Sequence, residues 1–175
     1  MFISVLVGNP RAGSRTLQVA ETLAEEITSM VNAERRPTVD LALHAHHIFD
    51  WPSDVMAALN DAVATSDLII VASPTYKATY TGLLKSFLDR YPNCGLAGVT
   101  AIPVMTGAGP LHAMAVDTCL RPLLVELGAS VPTRGMYFQM SRMASLQEDI
   151  RSWVAENVRP GGVLTTVSRG DLGEK

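Results

Sequence analysis

Short aliphatic runs alternate along this chain with longer stretches whose apolar residues recur every three to four positions. That alternation leaves few folds open. Phe2-Ile3-Ser4-Val5-Leu6-Val7 is short, mostly β-branched or aliphatic, and stopped by Gly8-Asn9-Pro10, which predicts a strand buried on both faces. Leu17, Ala20, Leu23, Ala24, Ile27 and Val31 follow at helical spacing, with Glu21, Glu25 and Glu26 among the polar positions. This is the stripe of an amphipathic helix, broken by Arg35-Arg36-Pro37. Residues 38–43 alternate apolar with polar and read as a second strand nearer an edge. Residues 44–52 read as a loop, after which Ser53 or Asp54 can cap a helix through Val55, Leu59 and Val63.

Residues 67–72, uninterruptedly aliphatic from Leu68 to Ala72, predict another strand, stopped by Ser73-Pro74-Thr75-Tyr76. A helix with Leu83, Leu84, Phe87 and Leu88 ends before Pro92. Residues 99–105 predict a strand despite Pro103, which is better tolerated near a strand end or edge. Residues 111–127 read as a helix, 129–138 as a last strand and 146–158 as a last amphipathic helix. The helix at 111–127 is expected to be irregular near Thr118. Pro122 has no N–H to bond the carbonyl four residues earlier, and a kink or π-type bulge is the usual result.

Strands alternating with helices imply an α/β fold with a parallel sheet and helices on both faces. The expected arrangement is one domain over residues 1–158. A loose tail over 159–175 is expected from its Gly, Thr and Ser content. With 175 residues, 47% of them hydrophobic and 18% charged, the chain has enough apolar material for one core and is not disordered as a whole. A net charge of −3 argues against a dedicated nucleic-acid binder. No apolar run approaches the ~18 residues of a membrane span. The apolar opening lacks the basic flank and cleavage site of a signal peptide. Cys94 and Cys119 form no CxxC pair or disulfide framework, which fits a reduced, cytoplasmic setting.

In open parallel sheets ligands bind beyond the carboxyl ends of the strands, which directs attention to three loops. The first is Gly8-Asn9-Pro10-Arg11-Ala12-Gly13-Ser14-Arg15-Thr16. It leads into a helix N-terminus, whose unpaired N–H groups and dipole favour an anion. Ser14 and Thr16 add hydroxyls, and Arg11 and Arg15 add planar cationic donors suited to phosphate. Ser14 stands where a Walker-type loop needs Lys, and no GxGxxG fingerprint is present. The plainer alternative is an ordinary turn with a Ser cap and two solvated arginines. The second loop is Ser73-Pro74-Thr75-Tyr76-Lys77-Ala78-Thr79-Tyr80-Thr81-Gly82. It offers backbone and hydroxyl donors to a flat heterocycle with Tyr76 at its edge; equally, it reads as a Pro-initiated turn with Thr81 capping the next helix. The third, Thr106-Gly107-Ala108-Gly109, permits close backbone approach to a planar ligand. His112 reads as a packing or capping residue. His44, His46 and His47 lack metal-ligand spacing, and no acid–base or nucleophile constellation is apparent.

Together these loops resemble the NAD(P)H-dependent FMN reductase family of flavodoxin-like proteins. The likeness is closest to the flavin reductase components of two-component alkanesulfonate monooxygenases and covers about residues 1–140. It rests on the first loop, on residues 73–85, and on His112-Ala113-Met114-Ala115-Val116-Asp117 with Arg121-Pro122-Leu123. Thr118 stands where that subgroup carries an aromatic residue. The resemblance implies a five-stranded parallel sheet in the order 2-1-3-4-5 and hydride transfer from the nicotinamide of NAD(P)H to flavin N5. It implies that Arg11, Ser14 and Thr16 hold the FMN 5′-phosphate with Arg15 close by. Pro74, Thr75 and Tyr76, with Lys77 beside them, would bind around the isoalloxazine ring, and Thr106 and Gly107 would approach its other end. It further implies a dissociable flavin supplied to a partner monooxygenase. A homodimer or homotetramer is also implied, covering apolar residues of the helix at 82–91 and aromatics near the second loop. A quinone or azo-compound reductase with retained FMN uses the same loops. A flavodoxin-like electron carrier is a third reading, though such carriers are more acidic than −3.

Overall fold

The computed structural model describes residues 1–31 and 33–158; the tail expected at 159–175 lies outside them. Strand β1 (Phe2–Val7) leads into helix α1 (Arg15–Val31). Two short strands follow, β2 (Glu34–Arg35) and β3 (Val39–Asp40), and then α2 (Asp54–Ala64) and β4 (Leu68–Pro74). The remaining elements are α3 (Gly82–Leu88), β5 (Thr100–Gly107), α4 (Arg121–Glu126), β6 (Met136–Gln139) and α5 (Leu146–Asn157). The sheet is parallel throughout, in the order β2-β1-β4-β5-β6, with β3 also paired to β1.

The sheet therefore has six strands rather than the expected five, and the difference is confined to one edge. β2 pairs with Phe2 and Ile3, and β3 pairs with Leu6 and Val7. Pro37 lies between the two pieces, where it contributes no N–H to the ladder. Counted as one interrupted strand, they restore the expected order. The strand expected at 38–43 stops at Asp40 because its carboxylate accepts the N–H of Ala42 and caps a 3₁₀ turn over Leu41–His47.

Residues alternate along each strand between two apolar layers. Ile3, Val5 and Val7 of β1 and Leu68, Ile70 and Ala72 of β4 pack with Leu23 and Ile27 of α1 and Ile150 of α5. Leu6, Ile69 and Val71 face the other way, against Met56 of α2, Leu84 and Phe87 of α3 and Leu124 of α4. β4 is buried along its whole length. Of the apolar residues at 82–91, Leu84, Phe87 and Leu88 are fully buried in this core and not available to a second copy, whereas Leu83 and Tyr91 are partly buried against it.

The last strand is also shorter than expected. Of residues 129–138, an isolated bridge from Ser130 to Thr100 and then β6 are paired with β5. Between them Pro103, which has no N–H, faces a gap. The chain there is held instead by Arg121, which donates to the carbonyls of Val131 (2.7 Å) and Thr133 (2.6 Å) and ion-pairs with Asp117. Asp117 in turn accepts the N–H of Gly135 at 3.0 Å. The helix expected at 111–127 is broken in the manner Pro122 dictates: a 3₁₀ turn over Pro110–His112, a π-helix over Val116–Leu120, then α4. Arg121 N–H bonds the carbonyl of Val116, five residues back. No described helix is long and apolar enough to cross a membrane.

Candidate active site

The parallel strands deliver the ends of β1, β4 and β5 to one side of the sheet, and a cleft of about 680 Å³ opens there. Arg11, Ser14, Arg15 and Thr16 of the first loop, Pro74, Thr75 and Tyr76 of the second, and Thr106 and Gly107 of the third all line it. Lys77 does not. It occupies, with Ala78, the tip of a two-residue hairpin in which Tyr76 and Thr79 exchange backbone hydrogen bonds at 2.8 and 3.2 Å. Both tip residues are left-handed, with φ of 51° and 66°. Such a turn favours Asn-Gly.

The first loop is shaped by its own polar groups. Asn9 accepts the Arg11 N–H at 2.9 Å, which leaves its amide nitrogen to donate to Thr16 Oγ1 at 3.0 Å. Gly13, at φ 62°, turns the chain and donates to the carboxylate of Asp40 at 3.1 Å. Ser14 caps α1, accepting the Leu17 N–H at 3.2 Å. The N–H groups of Ser14, Arg15 and Thr16 meet no protein acceptor among the described residues. Arg11 and Arg15 are exposed and in no ion pair there.

The loops are tied to one another beneath the cleft. Thr75 N–H donates to the Thr106 carbonyl at 2.7 Å. Thr16 and Thr106 share one hydroxyl–hydroxyl bond at 2.8 Å. Whichever of the two donates, the other hydroxyl proton is left over at the cleft. Thr75 Oγ1 is also buried without a partner. Thr81 caps α3 through the Leu84 N–H (3.1 Å) and donates to the Gly8 carbonyl, so its cap joins the first and second loops.

One end of the cleft thus presents a surplus of donors and two free positive charges, the chemistry that suits a phosphate. The other end presents backbone and small side chains at Pro74, Thr75 and Thr106 to Ala108, with the Tyr76 ring beside them, a setting for a planar ring. None of the lining residues is a carboxylate or histidine. Asn9, Gly13, Ala108 and Met140 also line the cleft and were not singled out from the sequence. Asn9 was legible as an Asx turn at the start of the loop, whereas Met140, just beyond β6, carried no signal.

A family model described as NADPH-dependent FMN reductase matches residues 1–142. FMN reductase (NADPH) of Escherichia coli (strain K12) is 32% identical over 149 residues, spanning 82% of this chain and 75% of that one. NADH-dependent FMN reductase SfnF of Pseudomonas putida is 29% identical over 147 residues, spanning 77% and 75%. The apo form of NADH:FMN oxidoreductase (EMOB) superposes with a TM-score of 0.75 at 27% identity over 93% of both chains. An archaeal flavodoxin, at a TM-score of 0.62 and 14% identity over 89% and 95%, shares the fold alone. With most of its length matched in this way, the chain belongs to the NADPH-dependent FMN reductase family and is an NAD(P)H:FMN oxidoreductase.

Proposed function

We propose that this chain reduces FMN as a dissociable substrate and supplies reduced flavin to a separate flavin-dependent monooxygenase. The observation that carries the reading is the unspent donor set of the first loop on an open cleft. Arg11, Ser14 and Thr16 hold the 5′-phosphate, with Arg15 beside it. Pro74, Thr75 and Tyr76 line the isoalloxazine ring, and Thr106 and Gly107 meet its other end. Bound together, the two nucleotides supply the transfer of hydride from nicotinamide to flavin N5. The chain's own part is to bind and align them, which accounts for a cleft without a carboxylate or histidine.

Release follows from exposure. Arg11 and Arg15 face water, so their charges act on the phosphate partly screened. A grip between about 10 nM and 10 μM, roughly −11 to −7 kcal/mol, fits such a site. A homodimer or homotetramer accompanies this reading, with a second copy covering exposed Tyr76, Leu111 and Met114; a monomeric mass at micromolar concentration would count against it.

The supplier role is tested by mixing catalytic enzyme with NADPH and excess FMN without oxygen. Reduction of the whole free flavin pool over many turnovers is expected. If one bound equivalent is reduced and the pool stays oxidised, a retained-flavin quinone or azo reductase takes its place.

A further inference from the structure

Tyr137 does not line the cleft, yet it is built into the wall behind it. It lies on β6 opposite Met105 of β5 and packs half-buried against the α2–α3–α4 layer. Its hydroxyl donates to the carbonyl of Gly109 at 2.7 Å. Apart from the sheet ladder and the 3₁₀ turn that starts from Gly109, this is the one hydrogen bond made to residues 107–109 among the described residues, and the one from a side chain. The same hydroxyl fills the place of a side chain at position 107. A Cβ there would stand 2.0 Å from Tyr137 Oη and 2.9 Å from Cζ. Gly107 is therefore glycine for a reason separate from ligand contact: the phenol passes behind it.

We propose that Tyr137 is a positioning residue for flavin reduction, its hydroxyl setting the height of the Gly107–Gly109 backbone against the ring. This rests on the reading that Thr106 and Gly107 meet the ring end of FMN. Without the hydroxyl, the loop keeps its ladder pairing and its 3₁₀ turn but loses its side-chain tether at Gly109. The ring then meets a wall that moves. FMN and riboflavin share the ring, so both are affected alike. Arg11, at the phosphate end, acts on FMN alone.

The test measures KM and kcat for both flavins, with NADPH saturating, in Tyr137→Phe, Gly107→Ala, the double variant and Arg11→Ala. Tyr137→Phe is expected to raise both flavin KM values by the same factor, about three- to ten-fold, the size of one hydrogen bond. Its kcat should stay within about two-fold of the parent, since ground-state alignment is what changes. Gly107→Ala is expected to raise both KM values about ten-fold or more by pushing the loop off the phenol. Adding Tyr137→Phe should then lower KM by about three-fold or more relative to Gly107→Ala, a coupling that a merely stabilising tyrosine would not produce. The proposal is overturned if Tyr137→Phe leaves both KM values at the parental level. It is also overturned if Tyr137→Phe fails to relieve Gly107→Ala. The Tyr137→Phe arm stands alone should Gly107→Ala not fold. Arg11→Ala separates the two layers of the argument. A rise in FMN KM with riboflavin spared upholds the cleft assignment whatever Tyr137 does. No change for either flavin in both Arg11→Ala and Gly107→Ala overturns that assignment, and the role of Tyr137 with it.

Discussion

The two ends of the sheet are built from the same strands, but they treat their polar groups in opposite ways. At the amino end most of the groups close on one another, Arg35 Nε being buried without a partner. Asp67 takes the Phe2 N–H at 2.7 Å on its carboxylate, and its own N–H donates to the Phe2 carbonyl at 3.0 Å. Ser66 donates to the Ala62 carbonyl and meets the Ser4 hydroxyl at 2.6 Å. Arg36 bonds Ala62 and Thr65 and lies over the Phe2 ring. At the carboxyl end the groups are left open: two unpaired arginines, the first-turn N–H groups of α1, a surplus hydroxyl proton between Thr16 and Thr106, and a hairpin held in left-handed conformation. Buried polar groups are normally paired. Arg11 and Arg15 are exposed, so only Thr75 Oγ1 at this end is buried without a partner; the other donors face an open cleft, a setting that suits an anionic ligand.

Single substitutions at the two ends should therefore fail in different assays. Arg11→Ala is expected to weaken FMN binding by about 1.5–3 kcal/mol, the scale for a hydrogen bond to a charged group. Riboflavin binding should change much less, and urea unfolding should stay within about 0.5 kcal/mol of the parent. Equal losses for both flavins would show that Arg11 does not read the phosphate. Ser66→Ala is the mirror image. Because Ser66 spends its proton on Ala62, Ser4 is the donor of their shared bond, and the substitution strands a hydroxyl that is 1% exposed. Stability should fall by about 1–2 kcal/mol, with flavin KM unchanged. A raised KM in this variant would mean that the two ends are coupled.

Tyr91 makes the closed condition visible through pH. Burial, the main cause, raises its phenol well above the ordinary range; the Asp61 charge adds to this, and a hydrogen bond with Asn60 opposes it. The folded chain thus keeps a proton that the unfolded chain loses above about pH 10. The contribution is fully present below that pH and is lost as pH rises through it, at about 1.4 kcal/mol per pH unit. Unfolding free energies measured from pH 9 upward should show this slope, and Tyr91→Phe should remove it. An unchanged slope in Tyr91→Phe would assign the alkaline loss to other groups.

What was legible in the sequence follows the same division. The stripe of α1 and the uninterrupted run of β4 were plain, because their spacing is set by the core alone. The donors of the first loop were visible because strand, loop and helix follow one another directly. The π-helix was visible because a missing N–H at Pro122 is a local fact. The rest depends on contacts between distant residues. Asp40 ends β3 early while also bonding Gly13, 27 positions away. Arg121 draws residues 131–133 away from the β5 edge. Lys77, placed at the ring by family likeness, sits at the tip of a hairpin and is not among the residues lining the cleft, and nothing in its immediate neighbours announces a left-handed pair.

That hairpin offers the smallest and most local test of the comparison. Lys77 and Ala78 hold φ of 51° and 66° without being glycine, and an L-residue in that region costs roughly 1–2 kcal/mol. The other described non-glycine residue at positive φ is Cys94, at 57° in the α3–β5 connection, which enters the sheet at its amino end, so such a cost is borne at both ends but by two adjacent residues only at the cleft. Ala78→Gly removes the strain at one position. Glycine gives back part of the gain through the greater freedom of the unfolded chain, about 0.5–1 kcal/mol. The net expectation is a protein more stable by about 0.5 kcal/mol, a rise in Tm of about 1–2 °C for a chain of this size. The Tyr76–Thr79 pairing is kept, so Tyr76 should stay at the cleft and FMN KM should remain within about two-fold. Differential scanning calorimetry with steady-state kinetics checks both. A fall in Tm would mean that the Ala78 side chain is held by packing that outweighs its backbone cost. A large rise in KM at unchanged Tm would mean that the strained turn, beyond framing Tyr76, itself sets the ring-binding wall.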